Sequence, residues 1–522
     1  MNMKPTTEIK IKTIIDIIEA LPQEKQEESF GIIKEIQCKS NWINVDINKI
    51  DWIGVSYNEK KNTVSHKLFA PKLARFIKNN VKYIFARNDS NSQVMRYFYE
   101  DGYYKKINDD ELKSYIKDLI PLFMEKKHDI NEVFTLLTFD RVFKNIDELN
   151  DNENIINFKN GLLYLDTMEL KPHTPDVLST IQIPCNYNVD ATMPDNSVFE
   201  SFINYLTDYD TEVKSLLLQF LGYSISNVKG FKSKKALFMQ GKGDTGKSQL
   251  KKLAERLIGK DNSTAIELEK LEARFGTATI YNKRLAGSND MSYATVKELK
   301  ALKQGTGGDT MTAEFKCQQQ FDFIYGGLFW FCCNKMPKFG GDKGDWVYER
   351  IMIVECNNVV AVKDQNPNIV DDMLKESEYI VNLAIKELKR VLDNRCKFII
   401  PDKCLLAREQ YKVENNSFLT FVNECTTKRG KGYDNCTTKV FYDIYVEWCK
   451  ENNNGYSEKK KDIKQYMYEL TGTKKEEQLI GKSGGKQYYK DYTLNQDTIN
   501  DYRKLYGNDS ITTVTPSTYN YS

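Results

Sequence analysis

Eight consecutive residues constrain this chain more than any others: Gly241-Lys242-Gly243-Asp244-Thr245-Gly246-Lys247-Ser248, which fit the pattern G-x-x-x-x-G-K-[ST]. Their setting matters as much as the string. Ala236-Leu237-Phe238-Met239-Gln240 reads as a buried strand, and Leu250, Leu253, Ala254 and Leu257 recur at helical spacing until Gly259. Strand, glycine turn and helix start together make a phosphate cradle. Glycines let backbone N–H groups wrap the anion, and the helix presents its positive end to it. Lys247 is then expected to neutralise phosphate charge and the Ser248 hydroxyl to ligate Mg²⁺. A glycine turn beside a surface lysine is the bland alternative, and it leaves the flanking strand and helix unexplained.

The next hundred residues narrow the class of NTPase. Lys283-Arg284-Leu285-Ala286-Gly287-Ser288-Asn289-Asp290 is a short strand-like run ending in an acid. Asp290 suits a carboxylate that holds the metal's water shell or polarises an attacking water, although alone it reads equally well as a strand-ending turn. A helix bearing Lys297, Lys300 and Lys303 is expected next, then a turn at Gly305-Thr306-Gly307-Gly308-Asp309. Residues 310–315 and 321–325 read as a hairpin around the basic, polar tip Lys316-Cys317-Gln318-Gln319-Gln320. An apolar strand over 328–333 ends at Asn334, and Arg350 stands just ahead of Ile351-Met352-Ile353-Val354.

This ordered set resembles the superfamily 3 helicases, a branch of the AAA+ ATPases, and within them the phage/plasmid and poxvirus-type primase-helicase family. The likeness extends upstream to Asn160-Gly161-Leu162-Leu163 and Leu170-Lys171-Pro172-His173-Thr174, and downstream from Ile400-Pro401 to Phe418. The overall layout also resembles the replication initiators of staphylococcal mobile islands and cassettes. The resemblance implies ATP and Mg²⁺ at Gly241 to Ser248, with Asp290 at the metal and Asn334 sensing the γ-phosphate. It further implies an arginine finger at Arg350 reaching a neighbour's nucleotide, a hexameric ring and 3′→5′ movement on single-stranded DNA. Lys316 would line the ring's channel and touch the phosphate backbone. Without the family, an ion pair with Glu349 or Asp345 explains Arg350 as well, and Lys316 is any exposed hairpin charge. One departure stands out: many relatives carry two acids or a glutamate where this chain has Asn289-Asp290. Asp290 alone would then be both metal ligand and base, with Glu298 as a candidate helper or simply a solvated helix residue.

Composition sets the limits. With 522 residues, 40% hydrophobic and 28% charged, the chain has material for several globular cores. A net charge of only +2 means that any nucleic-acid surface must be local. Eleven cysteines without a C-x-x-C pair, and three histidines (His66, His128, His173) away from cysteine pairs, argue against structural zinc. Scattered thiols suit a reducing cytoplasm, and no apolar run reaches membrane-spanning length, so a cytoplasmic protein is expected.

Beyond the core, residues 8–36 show helical spacing broken at Pro22, and Tyr97-Phe98-Tyr99 with Gly102-Tyr103-Tyr104 reads as a hairpin. Asp208-Tyr209-Asp210 reads as the cap of a helical run. The C-terminal region reads as helices over 418–425 and 438–452, then a third from near Ser457 carrying Lys459, Lys460, Lys461 and Lys464, with Ile463, Met467 and Leu470 inward. Strands are expected over 476–480 and 487–493, joined by a loop with Lys482 and Lys486. Three helices and a hairpin are the order of a winged helix, whose third helix enters the major groove and whose wing meets the backbone. Solvated lysines beside a flexible glycine loop are the alternative.

The expected architecture is therefore α/β: an AAA+ P-loop NTPase core, an α+β N-terminal region and a C-terminal winged helix. Divisions are expected at 1–90, 91–230, 231–365, 366–415 (a helical extension), 416–510 and a polar tail over 511–522. The expected function is an ATP-dependent replicative helicase that binds its own origin, with single-stranded and duplex DNA, further copies of itself and host replication proteins as partners. Two other readings stay open, a primase-helicase and a DNA-binding initiator that uses ATP only as an assembly switch. A small-molecule kinase has no use for a basic hairpin and a trailing winged helix.

Overall fold

The computed structural model describes residues 13–506 apart from 88–93, 140–142, 294, 297, 340–344, 431–435 and 453–456. Lys297, the Asp345 side chain, Ile9 and Ile11 of the expected first helix, and the tail over 511–522 lie outside the described residues.

Pro22 breaks the first helical pattern: helix Ile14–Glu19 ends before it and Gln23–Lys39 starts directly after it. A proline fits at a helix start, where no N–H is needed, and not in a helix interior. Four strands follow, β1 (Tyr83–Arg87), β2 (Met95–Glu100), β3 (Tyr103–Ile107) and β4 (Phe143–Asn145), in the order β3-β2-β1-β4. The expected hairpin is β2–β3, with Tyr99 opposite Tyr104. A division at residue 90 does not suit this region. It would cut the antiparallel β1–β2 pair, and one hydrophobic core joins Ile14 to Leu137.

Helices α1 (Val198–Leu206) and α2 (Thr211–Ile225) lead into the α/β core. The Asp210 carboxylate caps α2 by accepting from the Glu212 and Val213 N–H groups. Five strands form a parallel sheet: β5 (Ala236–Gln240), β6 (Ser263–Ala265), β7 (Leu285–Gly287), β10 (Leu328–Cys333) and β11 (Ile351–Glu355). Their order is β6-β7-β10-β5-β11. Every residue of β10 is buried, as a strand covered on both faces requires. Helix α3 (Lys247–Ile258) follows β5, and its Leu250, Leu253, Ala254 and Leu257 enter the core.

Between β7 and β10 lie α4 (Lys300–Gly307) and the antiparallel hairpin β8 (Thr310–Ala313) and β9 (Phe321–Ile324). Two expectations shift here. The helix begins only at Lys300, leaving Glu298 ahead of it, and the glycines at 305 and 307 continue it until left-handed Gly308 ends it. The Glu272 carboxylate explains the start, accepting from the Ala301 and Leu302 N–H groups at 2.9 and 3.1 Å.

Helix α5 (Ser377–Asp393) packs along α2, and α6 (Asp402–Asn415) covers β11. Two neighbouring asparagines then face opposite ways. Asn415 bonds the Phe339 N–H and the Tyr348 hydroxyl inside the core, while Asn416 caps the next helix, α7 (Ser417–Cys425). After it come β12 (Thr426–Lys428), α8 (Thr438–Asn452), α9 (Lys460–Thr471), β13 (Ile480–Ser483), β14 (Lys486–Tyr489), β15 (Tyr492–Leu494) and α10 (Gln496–Tyr506), around a separate core. β13 pairs with β14, and β12 pairs with β15. The strand expected over 476–480 is a helical turn, Glu476–Leu479, and the chain extends only from Ile480. Glu476 there meets Lys464 while Leu479 is buried, which a single turn allows. Leu470, expected inward, is 36% exposed.

Candidate nucleotide site and charged surfaces

The loop from Gly241 to Gly246 joins the carboxyl end of β5 to the first turn of α3. Gly246 adopts φ 92°, a left-handed conformation, and a Cβ at Gly241 would lie 1.9 Å from the Cys356 carbonyl oxygen. Neither position tolerates a side chain. Lys242, Gly243 and Asp244 form the tip, whose Asp244 carbonyl accepts from the Val360 N–H at 2.8 Å. Lys247 is 6% exposed, and its ammonium crosses the loop, donating to the Gly241 and Lys242 carbonyls at 2.8 and 2.5 Å and to the Thr245 hydroxyl at 3.0 Å. Its three protons all point into the cradle, where phosphate oxygens would replace those acceptors.

The sheet order gathers the other sequence-predicted groups at this same edge. β10 lies between β5 and β7, so Asn334, directly after β10 and exposed, sits between the loop and the Asn289-Asp290 pair. Ala286 pairs with Phe329 and Met291 with Cys333, so five steps along one chain match four along the other (291 − 286 against 333 − 329). Such a bulge re-aims side chains. Here Asn289 turns inward and Asp290 stays exposed. The charges of Lys247 and Asp290 both reach Cys333, whose thiol burial pushes up to about 12, Lys247 opposing and Asp290 adding to the shift.

The Ser248 hydroxyl donates to the Asn289 carbonyl. Its oxygen lone pairs therefore stay available to a cation. The Asn289 amide donates to Glu255 at 3.4 Å, and Glu255 pairs with the fully buried Lys251. The amide oxygen of Asn289 is a buried acceptor without a hydrogen-bond partner. An orphaned acceptor beside a hydroxyl oxygen and a carboxylate is a donor set that fits a hard divalent cation such as Mg²⁺. Sequence reasoning missed Glu255 and Lys251, which read only as helix surface.

Beside the loop lies a cleft of about 500 Å³, also missed, lined by Tyr205, Tyr209, Val360 and Ala361. It adjoins the cradle through the Val360–Asp244 bond and through Phe202, whose ring packs on Gly246. Its only sequence signal was Tyr209, read there as part of a helix cap.

Arg350 lies elsewhere, at the amino end of β11. Ala236 pairs with Ile351 and Gln240 with Glu355, so a strand's length of roughly 17 Å separates Arg350 from the loop of its own chain. Its guanidinium donates to the Thr306 hydroxyl at 3.0 Å and stands 5.9 Å from the Trp346 ring. No ion pair links it to Glu349 or to any other carboxylate among the described residues. Burial lowers its pKa, against the charges of Asp309 and Glu349. Lys235 is nearby, its pKa lowered by burial and by the positive charges of Arg408 and Arg350, with Glu349 opposing.

A second arginine, Arg284, is 7% exposed. It donates to the carbonyls of Ser224 at 3.1 Å, Gly326 at 3.0 Å and Tyr223, and burial lowers its pKa to about 10. It fastens the end of α2 to the sheet.

Lys316 is exposed at the β8–β9 tip. The start of the tip loop is held by Arg274, which pairs with Glu314 through two nitrogens at 3.2 and 2.8 Å. In the C-terminal unit Lys459, Lys460 and Lys461 are exposed at the start of α9, and Lys482 and Lys486 are exposed on β13 and β14. Lys464 differs: it pairs with Glu476 at 2.9 Å. No helix among the described residues is long and apolar enough to cross a membrane.

Two family models match the chain. Residues 31–207 match a family described as D5 N terminal like, and residues 239–350 match a family of unknown function, DUF5906. The second span runs from the end of β5 to Arg350. The chain is 23% identical over 371 residues to "Putative helicase 184R" of Invertebrate iridescent virus 6, an alignment covering 63% of this chain and 38% of the relative. It is 24% identical over 352 residues to "Putative helicase 121R" of Invertebrate iridescent virus 3, covering 60% and 36%. The chain thus spans little more than a third of the length of these viral relatives. Among solved structures, the C-terminal region of NrS-1 aligns over 81% of this chain and 98% of that one, at 13% identity and a TM-score of 0.41.

Proposed function

We propose that this chain is an ATP-dependent DNA helicase of the superfamily 3, AAA+ type, working as a ring of identical subunits. Its role would be replication of a phage, plasmid or genomic island, with a C-terminal winged helix that binds duplex DNA. The observation that carries the reading is the distribution of groups over the sheet. Lys247, Ser248, Asp290 and Asn334 share one edge, and Arg350 stands at the other, too far to serve its own loop. A complete site then needs Arg350 from a second copy, which is the logic of a ring ATPase. The match of residues 31–207 to the D5-like family and the helicase names of the viral relatives support the same class.

In this reading the loop binds the ATP phosphates and the cleft at Tyr205 and Tyr209 receives the base. Mg²⁺, when bound, would neutralise phosphate charge, held by Ser248 and Asp290 with the Asn289 amide oxygen alongside. Lys316 contacts the DNA backbone. The test is steady-state ATP hydrolysis with and without single-stranded DNA, together with unwinding of a forked duplex. DNA-stimulated turnover and strand separation are the expected results. A second reading, an initiator that uses ATP only to assemble, is favoured by one observation: Asn289 stands where a carboxylate would activate water. Binding of ATP without multiple turnover would select it.

A further inference from the structure

A second cleft, of about 720 Å³, opens at the amino end of β6 and β7, where the β2–β3 hairpin of the N-terminal sheet faces the α/β core. Ligand pockets of about 300–1,000 Å³ hold molecules of drug size, so this one has room for about one or two nucleotides. Four lysines line it, Lys105, Lys106, Lys260 and Lys283, against two carboxylates, Glu111 and Asp261. Lys105 is occupied by Glu100 at 3.7 Å, and Lys283 donates to the Asp261 backbone carbonyl at 2.5 Å. Lys106 and Lys260 are exposed and have no ion-pair partner among the described residues. Burial lowers the pKa of Lys283 and the charge of Lys106 lowers it further, with Asp261 opposing. Ammonium groups crowded in a recess are relieved by an anion.

The same walls carry aromatic rings. Tyr103 and Phe315 line the cleft, each half-buried, and Phe315 is stacked on Phe321 with centroids 5.4 Å apart. Phe315 also immediately precedes Lys316, so the cleft opens beside the tip of the basic hairpin. Cations that follow a phosphate chain, interleaved with rings that stack on bases, are how proteins hold single strands without reading sequence. A duplex keeps its bases stacked inside and offers no face to Tyr103 or Phe315.

We propose that this cleft binds a short run of single-stranded DNA, with phosphates on Lys106, Lys260 and Lys283 and bases against Tyr103 and Phe315. The inference rests on the helicase reading, and adds to the hairpin a second contact that would steer the strand between the core and the N-terminal sheet.

The test uses the full chain and fluorescein-labelled oligothymidylate, with anisotropy read over a salt series. Lys106→Glu with Lys260→Glu should weaken binding about tenfold or more and lower the log–log salt slope by about 1.4, at about 0.7 for each lost phosphate contact. Lys106→Arg with Lys260→Arg should retain both. An unchanged melting temperature checks the fold of the charge-reversed chain. Independently, 4-benzoylphenylalanine in place of Tyr103 should crosslink to oligothymidylate, and thymidine monophosphate at equal nucleotide concentration should not suppress it. Natural affinity and slope in the reversed chain would overturn the proposal. So would failure of the natural chain to bind oligothymidylate, or a crosslink abolished by the monophosphate, which would make this a free-nucleotide site. The helicase reading is judged on different data, the ATP hydrolysis of the natural chain. Hydrolysis with unaltered DNA binding in the reversed chain overturns the cleft alone. Absent hydrolysis overturns the helicase reading, and the crosslink still decides the cleft.

Discussion

At the carboxyl end of the five-stranded sheet, Lys247 spends all three protons on acceptors of its own loop, and Lys251 is buried against Glu255. At the amino end, Arg350 has one hydroxyl and an aromatic ring for partners, and Lys235 feels the cations Arg408 and Arg350 with the Glu349 carboxylate opposing. At one edge the cations are fully hydrogen-bonded or paired within their own segment, whereas at the other the Arg350 guanidinium touches no carboxylate among the described residues, and Asp309 and Glu349 act on it only through space. A partly buried guanidinium without a directly paired carboxylate costs stability. That suits the function proposed above, in which an anion from outside the chain, a neighbour's nucleotide, would complete the contact.

The sharpest way to break this contrast is at Lys247. Lys247→Ala removes the buried cation of the cradle, and ATP hydrolysis should fall by about 10³-fold or more. Binding of duplex DNA by the C-terminal unit should persist. A purified variant that hydrolyses ATP near the natural rate would remove the loop from the site altogether.

Arg350→Ala should lower hydrolysis by about 10³-fold while nucleotide affinity stays within a few fold, since an arginine finger acts on transition-state charge. Mixed with Lys247→Ala subunits, it should regain weak activity, because some interfaces then pair an intact loop with an intact finger. Rings shown to co-assemble yet inactive at every ratio would mean that Arg350 serves its own subunit.

Arg284 sharpens the comparison from another side, being an amino-end cation that is fully spent. Its guanidinium satisfies three carbonyls, at Tyr223, Ser224 and Gly326. Arg284→Met would leave the Ser224 carbonyl buried without its donor and take a charge-assisted bond from the other two, although Tyr223 still accepts from Ser226 and Gly326 from the Gly230 N–H; each lost bond is worth about 1–3 kcal/mol before relaxation. We expect a loss of about 3 kcal/mol or more in chemical denaturation, whereas Arg350→Ala should change stability by less than about 1 kcal/mol. Equal losses from both would erase the distinction between a structural and an outward-facing arginine.

What the sequence disclosed, and what it hid, follows the range of the interactions. The glycine loop is eight adjacent residues that join a strand to a helix, so its conformation is set locally and was legible, as were the hairpin around Lys316 and the strand before Asn334. Glu255 lies 34 residues from Asn289 (289 − 255), on a helix face that periodicity marks only as polar, and nothing local announces that the two meet. The cleft at Tyr205 and Val360 joins segments 155 residues apart (360 − 205), which only the tertiary fold brings together. The division expected at residue 90 missed a sheet whose pairing crosses it, and the strand read over 476–480 missed a helical turn whose Glu476 is drawn to Lys464. The order of strands in the sheet, which sets Arg350 apart from Lys247, is likewise invisible to spacing alone.

The smallest expected effect tests the same contrast in the C-terminal unit. Lys459, Lys460 and Lys461 are exposed at the start of α9 and, like Arg350, are in no ion pair among the described residues. Lys464 is instead tied to Glu476, and the same carboxylate also feels Lys482. If α9 meets duplex DNA, replacing the three outward lysines with alanine should lower the log–log salt slope by up to about 2.7, at about 0.9 per phosphate contact. Lys464→Ala should lower it by clearly less than one contact, because a lysine already paired with Glu476 makes no full phosphate contact of its own. A fragment beginning at Asn416 suits the measurement, since this unit has its own core and Asn416 caps its first helix. If Lys464→Ala costs as much slope as each outward lysine, the ion pair opens on DNA and its partner assignment in the free protein says nothing about contact. If none of the four changes the slope, α9 is a solvated face, and duplex recognition belongs to the N-terminal region.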